Sequence, residues 1–309
     1  MNQVSGKRVL VTGGAGFLGK RIVDRLSLRN PEDIIVPRSY EWDLTNQKET
    51  EEMISEFLPD IIIHAAAEVG GIGANMQSPG RFLYANAMMG LNVIEEARKF
   101  STVEKIVLVG TVCSYPKYAT PPFKEEDIWN GYPEETNAPY GVAKKLLLVQ
   151  AQAYRQQYGS NIIYLIPTNL YGPMDNENPE TSHVIPAIMR KFIDAKENGA
   201  KEVTLWGSGS ASREFLYVDD AAEAIARAAA YYSSDLPLNL GRGEEISIAN
   251  LAEKIRGIVG YTGQIAWDRS KPDGQPRRSV NAQRANDLLG WKPAISLDEG
   301  LARTYVSMR

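Results

Sequence analysis

A tyrosine and a lysine four residues apart form the most chemically informative pair in the sequence. Tyr140 and Lys144 stand at positions i and i+4 of a predicted helix, so both side chains lie on one face. A free tyrosine has a pKa of about 10 and is a poor acid–base catalyst at neutral pH, but a neighbouring ammonium favours the phenolate. We therefore expect Lys144 to lower the pKa of Tyr140 and the pair to serve acid–base catalysis.

Three further side chains could take part in the same chemistry. Thr111 follows a predicted strand, and its hydroxyl can hydrogen-bond a carbonyl oxygen that Tyr140 protonates. Cys113 and His183 have ordinary pKa values of about 8.5 and about 6.5, so both can exchange protons near neutral pH. Both residues could instead have purely structural roles. Cys113 could be a small buried apolar side chain, and His183 could form a hydrogen bond at the start of a helix. The other histidine, His64, lies in an apolar run and is expected to be structural.

A glycine-rich stretch near the N-terminus predicts a phosphate-binding loop. A β-branched run ends at Thr12, and a helical pattern begins at Gly16, within a motif of the spacing Gly-x-x-Gly-x-x-Gly. One glycine permits the turn, one lets the backbone approach a pyrophosphate, and one lets the helix pack on the strand. Free amides at the helix N-terminus favour the phosphates. The loop consists of Gly13, Gly14, Ala15, Gly16, Phe17, Leu18 and Gly19.

The end of the second predicted strand indicates which dinucleotide binds. An NAD site usually has an acidic residue there for the ribose hydroxyls. This strand instead ends in Val-Pro-Arg-Ser, with Arg38 followed by Ser39 and no acid before Glu41. A cation and a hydroxyl suit a 2′-phosphate, so we predict NADP(H), with a solvated surface arginine as the alternative interpretation.

Short apolar runs alternate with longer helical patterns through the first half of the chain. This order is typical of βαβ units, and we predict an α/β fold with a Rossmann-type, doubly wound parallel sheet. The predicted strands are Arg8–Thr12, Asp33–Val36, Asp60–His64, Lys105–Val109 and Asn161–Ile166. The predicted helices are Gly16–Arg29, Thr45–Phe57, Pro79–Phe100 and Pro139–Gly159.

The pattern changes after Pro167, which predicts a second, smaller α/β domain. We expect residues 1–167 to form the NADP-binding domain, with 213–240 returning to it, and 168–309 to form a discontinuous substrate domain. A loop over Asn169–Ser182 is predicted to precede a helix at Pro186–Asn198. Later strands are expected at Glu202–Leu205 and Phe215–Tyr217, and later helices at Asp219–Tyr232, Asn250–Val259 and Leu297–Val306. The segment Tyr115–Asn137, rich in proline and aromatic residues, is expected to lie over the active site.

Composition limits the possible partners of the 309-residue chain. Its formal net charge is −4 and no cluster of lysine and arginine stands out, so neither nucleic acid nor an acidic membrane is expected as a partner. A single cysteine forbids an internal disulfide, and we expect a reducing, cytoplasmic compartment. Two histidines cannot form a multi-histidine metal site, and we predict no metal.

Together these motifs resemble the extended short-chain dehydrogenase/reductase family over essentially the whole chain. The match extends to more specific stretches: Ala65–Ile72, Cys113–Lys117, Pro167–Pro173, Ser182–Pro186, Trp206–Gly209, Arg213–Leu216 and Ser270–Gly274. Within the family these stretches resemble enzymes that epimerise C3 and C5 of GDP-4-keto-6-deoxy-D-mannose and reduce its C4 ketone with NADPH. The resemblance implies that Cys113 and His183 exchange the protons at C3 and C5, in an order that the sequence leaves open.

The resemblance also implies a set of binding residues. Lys144 would hold the nicotinamide ribose as well as assist Tyr140. Further cofactor contacts are expected from Asp43, Leu44, Ala65, Ala66, Ala67, Asn86, Val109, Gly110, Pro167, Asn169, Leu170 and His183. The GDP-sugar is expected to contact Lys191, Trp206, Arg213 and Asp273, with Lys271 as a further phosphate ligand. Relatives pair through the helices equivalent to Pro79–Phe100 and Pro139–Gly159, which implies a homodimer.

Three alternatives remain at this stage. A redox-neutral nucleotide-sugar epimerase, of the GDP-mannose 3,5-epimerase or 4-epimerase type, would keep its cofactor bound and consume none. A 4-keto reductase acting on another GDP-keto-sugar is suggested by Thr111 and Lys191, which replace the usual serine and arginine of the family. A nucleotide-sensing protein without catalysis is disfavoured by the intact set of Thr111, Tyr140 and Lys144.

Overall fold

The computed structural model describes residues 2–178 and 181–309 of the chain. Its strands are β1 (Arg8–Thr12), β2 (Asp33–Ile35), β3 (Ile61–His64), β4 (Lys105–Val109), β5 (Ile162–Pro167), β6 (Asn169–Tyr171), β7 (Glu202–Trp206), β8 (Ser212–Tyr217), β9 (Leu238–Leu240), β10 (Glu245–Ser247), β11 (Gln264–Asp268) and β12 (Arg277–Arg278). Its α-helices are α1 (Phe17–Ser27), α2 (Gln47–Phe57), α3 (Ile72–Gln77), α4 (Pro79–Ala97), α5 (Ala138–Tyr158), α6 (Val184–Glu197), α7 (Val218–Tyr231), α8 (Ile248–Val259), α9 (Gln283–Leu289) and α10 (Leu297–Ser307).

Six parallel strands form the central sheet, in the order β2-β1-β3-β4-β5-β9. β3, β4 and β5 are buried along their whole length, as strands covered by helices on both faces must be. β2 pairs with one side of β1, and β3 pairs with the other side. The chain therefore reverses direction across the sheet between β1 and β3, and ligands bind at such a switch point. This confirms the predicted α/β fold with its doubly wound sheet.

The five predicted strands and four predicted helices of the first half agree with the structure to within three residues. The sixth strand, β9, was not expected from the sequence. It pairs with β5 through the register Leu165–Leu238, and α7, which precedes it, packs on α1. The chain therefore re-enters the central layer after β8.

Short strands and three helices build the part of the molecule beside the sheet. β8 pairs with β6, β10 and β12, while β7 pairs with β11. Helices α6, α8 and α10 pack around these strands on a core that includes Phe192, Leu251 and Leu301. The predicted loop Asn169–Ser182 is wrong at its start, because residues 169–171 form β6. Positions 179 and 180 of that loop lie outside the described residues.

The segment Tyr115–Asn137 does not cover the large cavity described below. Only Asn137 at its end lines that cavity. The segment is held elsewhere because the backbone of Phe123 bonds to Ser279 and Asn281, and the Phe123 ring packs on buried Tyr115. Among the described residues, no helix is both long and apolar enough to cross a membrane.

Candidate active site

A cavity of about 1160 Å³ runs from the glycine loop, past the carboxyl ends of the central strands, to α6, β7 and the loop before β12. It exceeds the roughly 300–1,000 Å³ of ordinary small-molecule sites. We call the end at the glycine loop the cofactor half, and the end lined by Lys191, Trp206 and Arg213 the substrate half. The cavity has room for two large ligands that meet near its middle.

The glycine loop is shaped by close backbone contacts. Gly13 has a φ of +72°, and a Cβ there would lie 2.7 Å from the backbone nitrogen of Ala66. A Cβ on Gly19 would lie 2.0 Å from the carbonyl oxygen of Gly13, so helix α1 packs directly on the turn. Gly16 is the N-cap of α1 and has no side chain to satisfy the amides of the first turn. Those amides line the cavity and fit a pyrophosphate.

The residues after β2 fit a 2′-phosphate. Arg38 and Ser39 line the cavity, whereas Glu41 does not. Within residues 2–178 and 181–309, the guanidinium of Arg38 has no hydrogen bond or ion pair to a protein group. A free cation beside a hydroxyl directly after β2 favours NADP(H) over NAD(H) at this end.

Tyr140, Lys144 and Thr111 meet in the middle of the cavity. Tyr140 and Lys144 are buried on α5, and Thr111 lies close enough to the Tyr140 phenol to affect its pKa. Burial raises the pKa of Tyr140 well above its ordinary value, nearby Cys113 raises it further, and the Thr111 hydroxyl lowers it. The net direction is opposite to the lowering expected from Lys144, because desolvation of the phenolate is the largest cause.

Burial also changes the pKa of Lys144. Its side chain is 1% exposed, and burial lowers its pKa from 10.5 to about 8. Its Nζ donates a hydrogen bond to the Ala66 carbonyl at 3.4 Å, which fixes the ammonium beside the turn after β3. His64, at the end of the same strand, is fully buried with Nδ1 2.8 Å from Thr12 Oγ1, and burial lowers its pKa to about 3.

Cys113 and His183 both line the cavity, but in different surroundings. Cys113 lies in a short 3₁₀ turn after β4, where its backbone N–H donates to Thr111 Oγ1 at 3.2 Å. Its Sγ accepts a hydrogen bond from Arg278 Nη1 at 3.3 Å. His183 is the N-cap of α6, and its Nδ1 lies 3.5 Å from Oδ1 of buried Asp175. The thiol therefore faces a cation, and the imidazole faces a carboxylate.

Charged and aromatic side chains line the substrate half of the cavity. Lys191 on α6 donates from Nζ to the Thr204 carbonyl at 2.9 Å, and the Trp206 ring at the end of β7 is half exposed. Arg213 is buried and donates to the Asp273 carbonyl at 3.0 Å. Asp273 in turn accepts from the Ser208 N–H at 2.7 Å. The arrangement presents two cations and one aromatic face to a ligand.

Three predicted site residues do not line the cavity. A Cβ on Gly14 would point at Val11 and Val36, so this glycine serves packing behind the loop. Asn86 is fully buried and donates to the carbonyls of Glu68 and Phe82. Lys271 lies with its Nζ 5.2 Å from the centre of the Trp206 ring. The other predicted site residues all line the cavity.

Sequence reasoning missed Arg278, Gln275 and Asp175. Arg278 and Gln275 line the cavity, and Asp175 supports a residue that does. Arg278 and Gln275 follow closely on the Ser270–Gly274 stretch, and Asp175 follows the Pro167–Pro173 stretch, so the matched segments gave a hint. Sequence spacing gave no such hint, because Arg278 is 165 positions from Cys113, the residue that it contacts.

The fold and the site define a nucleotide-dependent enzyme, and the sequence places it in a family. Residues 9–241 match the profile of the NAD dependent epimerase/dehydratase family. The chain belongs to this family. The match covers the central sheet, the glycine loop and the residues of the catalytic centre.

Particular relatives narrow the comparison. The chain is 42% identical to a GDP-L-fucose synthase from Sinorhizobium fredii over 99% of its own length and 97% of the relative's. A crystal structure of a GDP-L-fucose synthetase from Naegleria fowleri bound to NADP superposes with a TM-score of 0.89 and 27% identity, covering 100% of this chain and 95% of that one. A GDP-6-OMe-4-keto-L-xylo-heptose reductase from C. jejuni superposes with a TM-score of 0.91 and 28% identity, covering 99% and 98%.

Proposed function

We propose that this protein is an NADPH-dependent enzyme that converts GDP-4-keto-6-deoxy-D-mannose to GDP-L-fucose. It epimerises C3 and C5 of the sugar and reduces the C4 ketone. The observation that carries the proposal is that one cavity holds two reactive sets, Thr111–Tyr140–Lys144 and Cys113–His183. Similarity to GDP-L-fucose synthases over the full length of the chain supports the same substrate.

The two reactive sets have different tasks. NADPH, when bound in the cofactor half, supplies the hydride for C4. Tyr140 donates the proton to the C4 oxygen, and because burial raises the pKa of Tyr140, its phenol keeps that proton at neutral pH. Thr111 orients the same oxygen. Lys144 binds the cofactor ribose and stabilises negative charge as it develops at this centre.

The surroundings of Cys113 and His183 suggest which is base and which is acid. Oδ1 of buried Asp175 lies 3.5 Å from His183 Nδ1, where a negative charge suits a ring that delivers a proton. His183 is therefore the acid, and Cys113 is the base on the opposite face of the sugar. C3 and C5 both lie next to the C4 ketone, so loss of a proton from either gives an enolate that the C4 oxygen stabilises.

A homodimer and a cytoplasmic location are parts of the same proposal. Leu83 and Tyr84 on α4 and Leu146 and Val149 on α5 are large apolar side chains with 41–54% of their surface exposed. α4 and α5 pack against each other, and a two-fold copy would cover these residues with a four-helix interface. Light scattering should give twice the chain mass of 34.2 kDa, and the double substitution L146E/V149E should halve it. The single cysteine favours a reducing compartment.

The reaction is tested by incubating the protein with GDP-4-keto-6-deoxy-D-mannose, generated in place by a dehydratase. We expect rapid loss of NADPH absorbance, much slower loss with NADH, and GDP-L-fucose as the product by chromatography and NMR. Turnover without added NADPH would identify a redox-neutral epimerase and contradict the proposal. NADPH consumption that yields only the 4-reduced, unepimerised sugar would identify a simple keto-sugar reductase.

A further inference from the structure

Arg278 carries a buried charge that the reaction described above does not use. The residue is 6% exposed, and its Nη1 donates a hydrogen bond to Cys113 Sγ at 3.3 Å. Within residues 2–178 and 181–309, no carboxylate forms an ion pair with Arg278. Burial of an unpaired charge is costly, so the position of this guanidinium against a thiol requires a reason.

A buried glutamine fixes the direction of the Arg278 side chain. Arg278 Nε donates to Gln275 Oε1 at 2.9 Å, and Gln275 is 1% exposed. Gln275 Nε2 donates to the carbonyls of Pro116 and Lys117, each at 3.0 Å. These carbonyls follow Cys113 by three and four positions, so the glutamine ties the arginine to the segment that carries the thiol.

Two further charged or titratable groups interact with Cys113, one on α5 and one on β8. Tyr140 on α5 lies close enough for Cys113 to raise its pKa. Arg213 on β8 stands opposite Arg278 in the register of β12, and burial, followed by the charge of Arg278, lowers the pKa of Arg213 to about 9. Glu134 and Asp273 act on Arg213. The thiol therefore has two guanidinium groups and a protonated phenol around it.

We propose that Arg278 is a positioning residue that holds the Cys113 sulfur toward the substrate and supplies the opposite charge for the thiolate that acts as the base. The proposal rests on the proposed function for the identity of the substrate, but not for the contact itself. The thiolate removes a proton from C3 or C5, the electrons of that C–H bond form an enolate, and the proton remains on sulfur. The protonated ring of His183 then adds a proton to the same carbon from the opposite face, and the ketone re-forms.

The chain has one cysteine, which permits a direct test without substrate or cofactor. The rate at which iodoacetamide, an uncharged probe, alkylates Cys113 is measured by intact mass across a range of pH. Because Arg278→Met removes an opposite charge from hydrogen-bond distance of the sulfur, the pH at which alkylation reaches half its maximal rate should rise. The alkylation rate at pH 7 should fall by about tenfold, and Arg278→Lys should restore part of it.

Arg277→Met is the matched control. Arg277 is the neighbouring residue of β12, is exposed, and pairs with Glu245 at 2.6 Å away from the cavity, so its removal should leave the alkylation profile unchanged. If Arg278→Met does not fold, Gln275→Met releases the guanidinium from its anchor and should raise the half-maximal pH by a smaller amount.

An unchanged profile in Arg278→Met, with a raised KM for the GDP-sugar, would assign Arg278 to the diphosphate and overturn the proposal. An unchanged profile in both Arg278→Met and Gln275→Met would overturn it as well. A third outcome is that the alkylation profile shifts in Arg278→Met although the protein does not turn over GDP-4-keto-6-deoxy-D-mannose. In that case the role of Arg278 stands and the proposed function fails.

Discussion

Glycine turns shape the cofactor half of the cavity, whereas charged and aromatic side chains shape the substrate half. Gly13 brings the turn after β1 against the backbone of Ala66 after β3, and Gly19 brings helix α1 against the same turn. Lys191, Trp206 and Arg213 come from three elements of the smaller part. Two hydrogen bonds hold the Arg213 side chain and one holds that of Lys191, whereas the half-exposed Trp206 ring has none to the described residues. A site made of backbone fails when one atom is added, whereas a site made of side chains can change one contact at a time. We therefore expect graded changes of sugar specificity in the substrate half, whereas the glycine turns of the cofactor half should tolerate no added atom.

Lys144→Met probes the point where the two halves meet, and we expect the largest effect there. Hydride transfer should fall by about a hundredfold or more, because the ammonium no longer stabilises charge beside Tyr140. The same substitution should raise the free energy of unfolding at pH 7 by about 1–3 kcal/mol, since a buried cation with a lowered pKa is replaced by an apolar chain. Single-turnover kinetics and urea unfolding measure the two effects.

The gain in stability should depend on pH. Below pH 8, the folded wild type holds protonated Lys144 at a cost; between about 8 and 10.5, the folded state is neutral while the unfolded chain keeps the proton. The unfolding free energy of the wild type therefore rises with pH across this window, and the advantage of Lys144→Met should shrink. An equal advantage at pH 7 and at pH 9.5 would contradict the lowered pKa.

Gly13→Ala tests whether the cofactor half tolerates one added carbon. The new Cβ would lie 2.7 Å from the Ala66 backbone nitrogen at a φ of +72°. We expect the unfolding free energy to fall by about 2–4 kcal/mol and NADPH binding, measured by calorimetry, to be lost. Gly257→Ala in helix α8 is the control, because a Cβ there meets nothing within 4 Å. Tight NADPH binding by Gly13→Ala would show that the loop is not a rigid backbone site.

Arg38→Ala should have a moderate and selective effect. Loss of one charge-assisted contact to a 2′-phosphate should weaken NADPH binding by about tenfold to a hundredfold. NADH binding should not change, because NADH has no phosphate at that position. Calorimetric titration with both cofactors measures the ratio, and an equal loss for NADPH and NADH would place Arg38 outside the 2′-phosphate site.

Trp206→Ala should have the smallest effect of the series. Loss of a half-exposed stacking face should raise KM for the GDP-sugar by about fivefold to tenfold without changing kcat or NADPH affinity. Trp129→Ala is the control, because this tryptophan is similarly exposed but does not line the cavity. A fall in kcat with KM unchanged would show that Trp206 does not act through substrate binding.

The same contrast explains how much of the molecule the sequence could predict. The strands of the cofactor half are apolar runs with clear ends, and the glycine spacing locates the turn between β1 and α1. The three-residue strand β9 is too short for a pattern to develop, and its place in the sheet is decided by pairing with β5. The two-residue strand β12, which carries Arg278, was missed for the same reason.

Electrostatics in the site were harder to predict than residue identity. The spacing of Tyr140 and Lys144 correctly placed both on one helix, but it contained no information on burial. Burial then raised the pKa of the phenol and lowered that of the ammonium, each against the form that carries charge. Contacts such as Cys113–Arg278 and His183–Asp175 depend on how distant segments pack, which spacing along the chain does not encode.

The central claim is that one cavity separates proton exchange at C3 and C5 from hydride transfer at C4. The most direct test follows deuterium incorporation from solvent and NADPH oxidation together, in Tyr140→Phe and Cys113→Ser. We predict that Tyr140→Phe exchanges deuterium into the sugar but oxidises little NADPH. Cys113→Ser should lose the exchange at C3 and C5 while it still binds NADPH. Loss of both activities in both variants, or near wild-type turnover in both, would contradict the account.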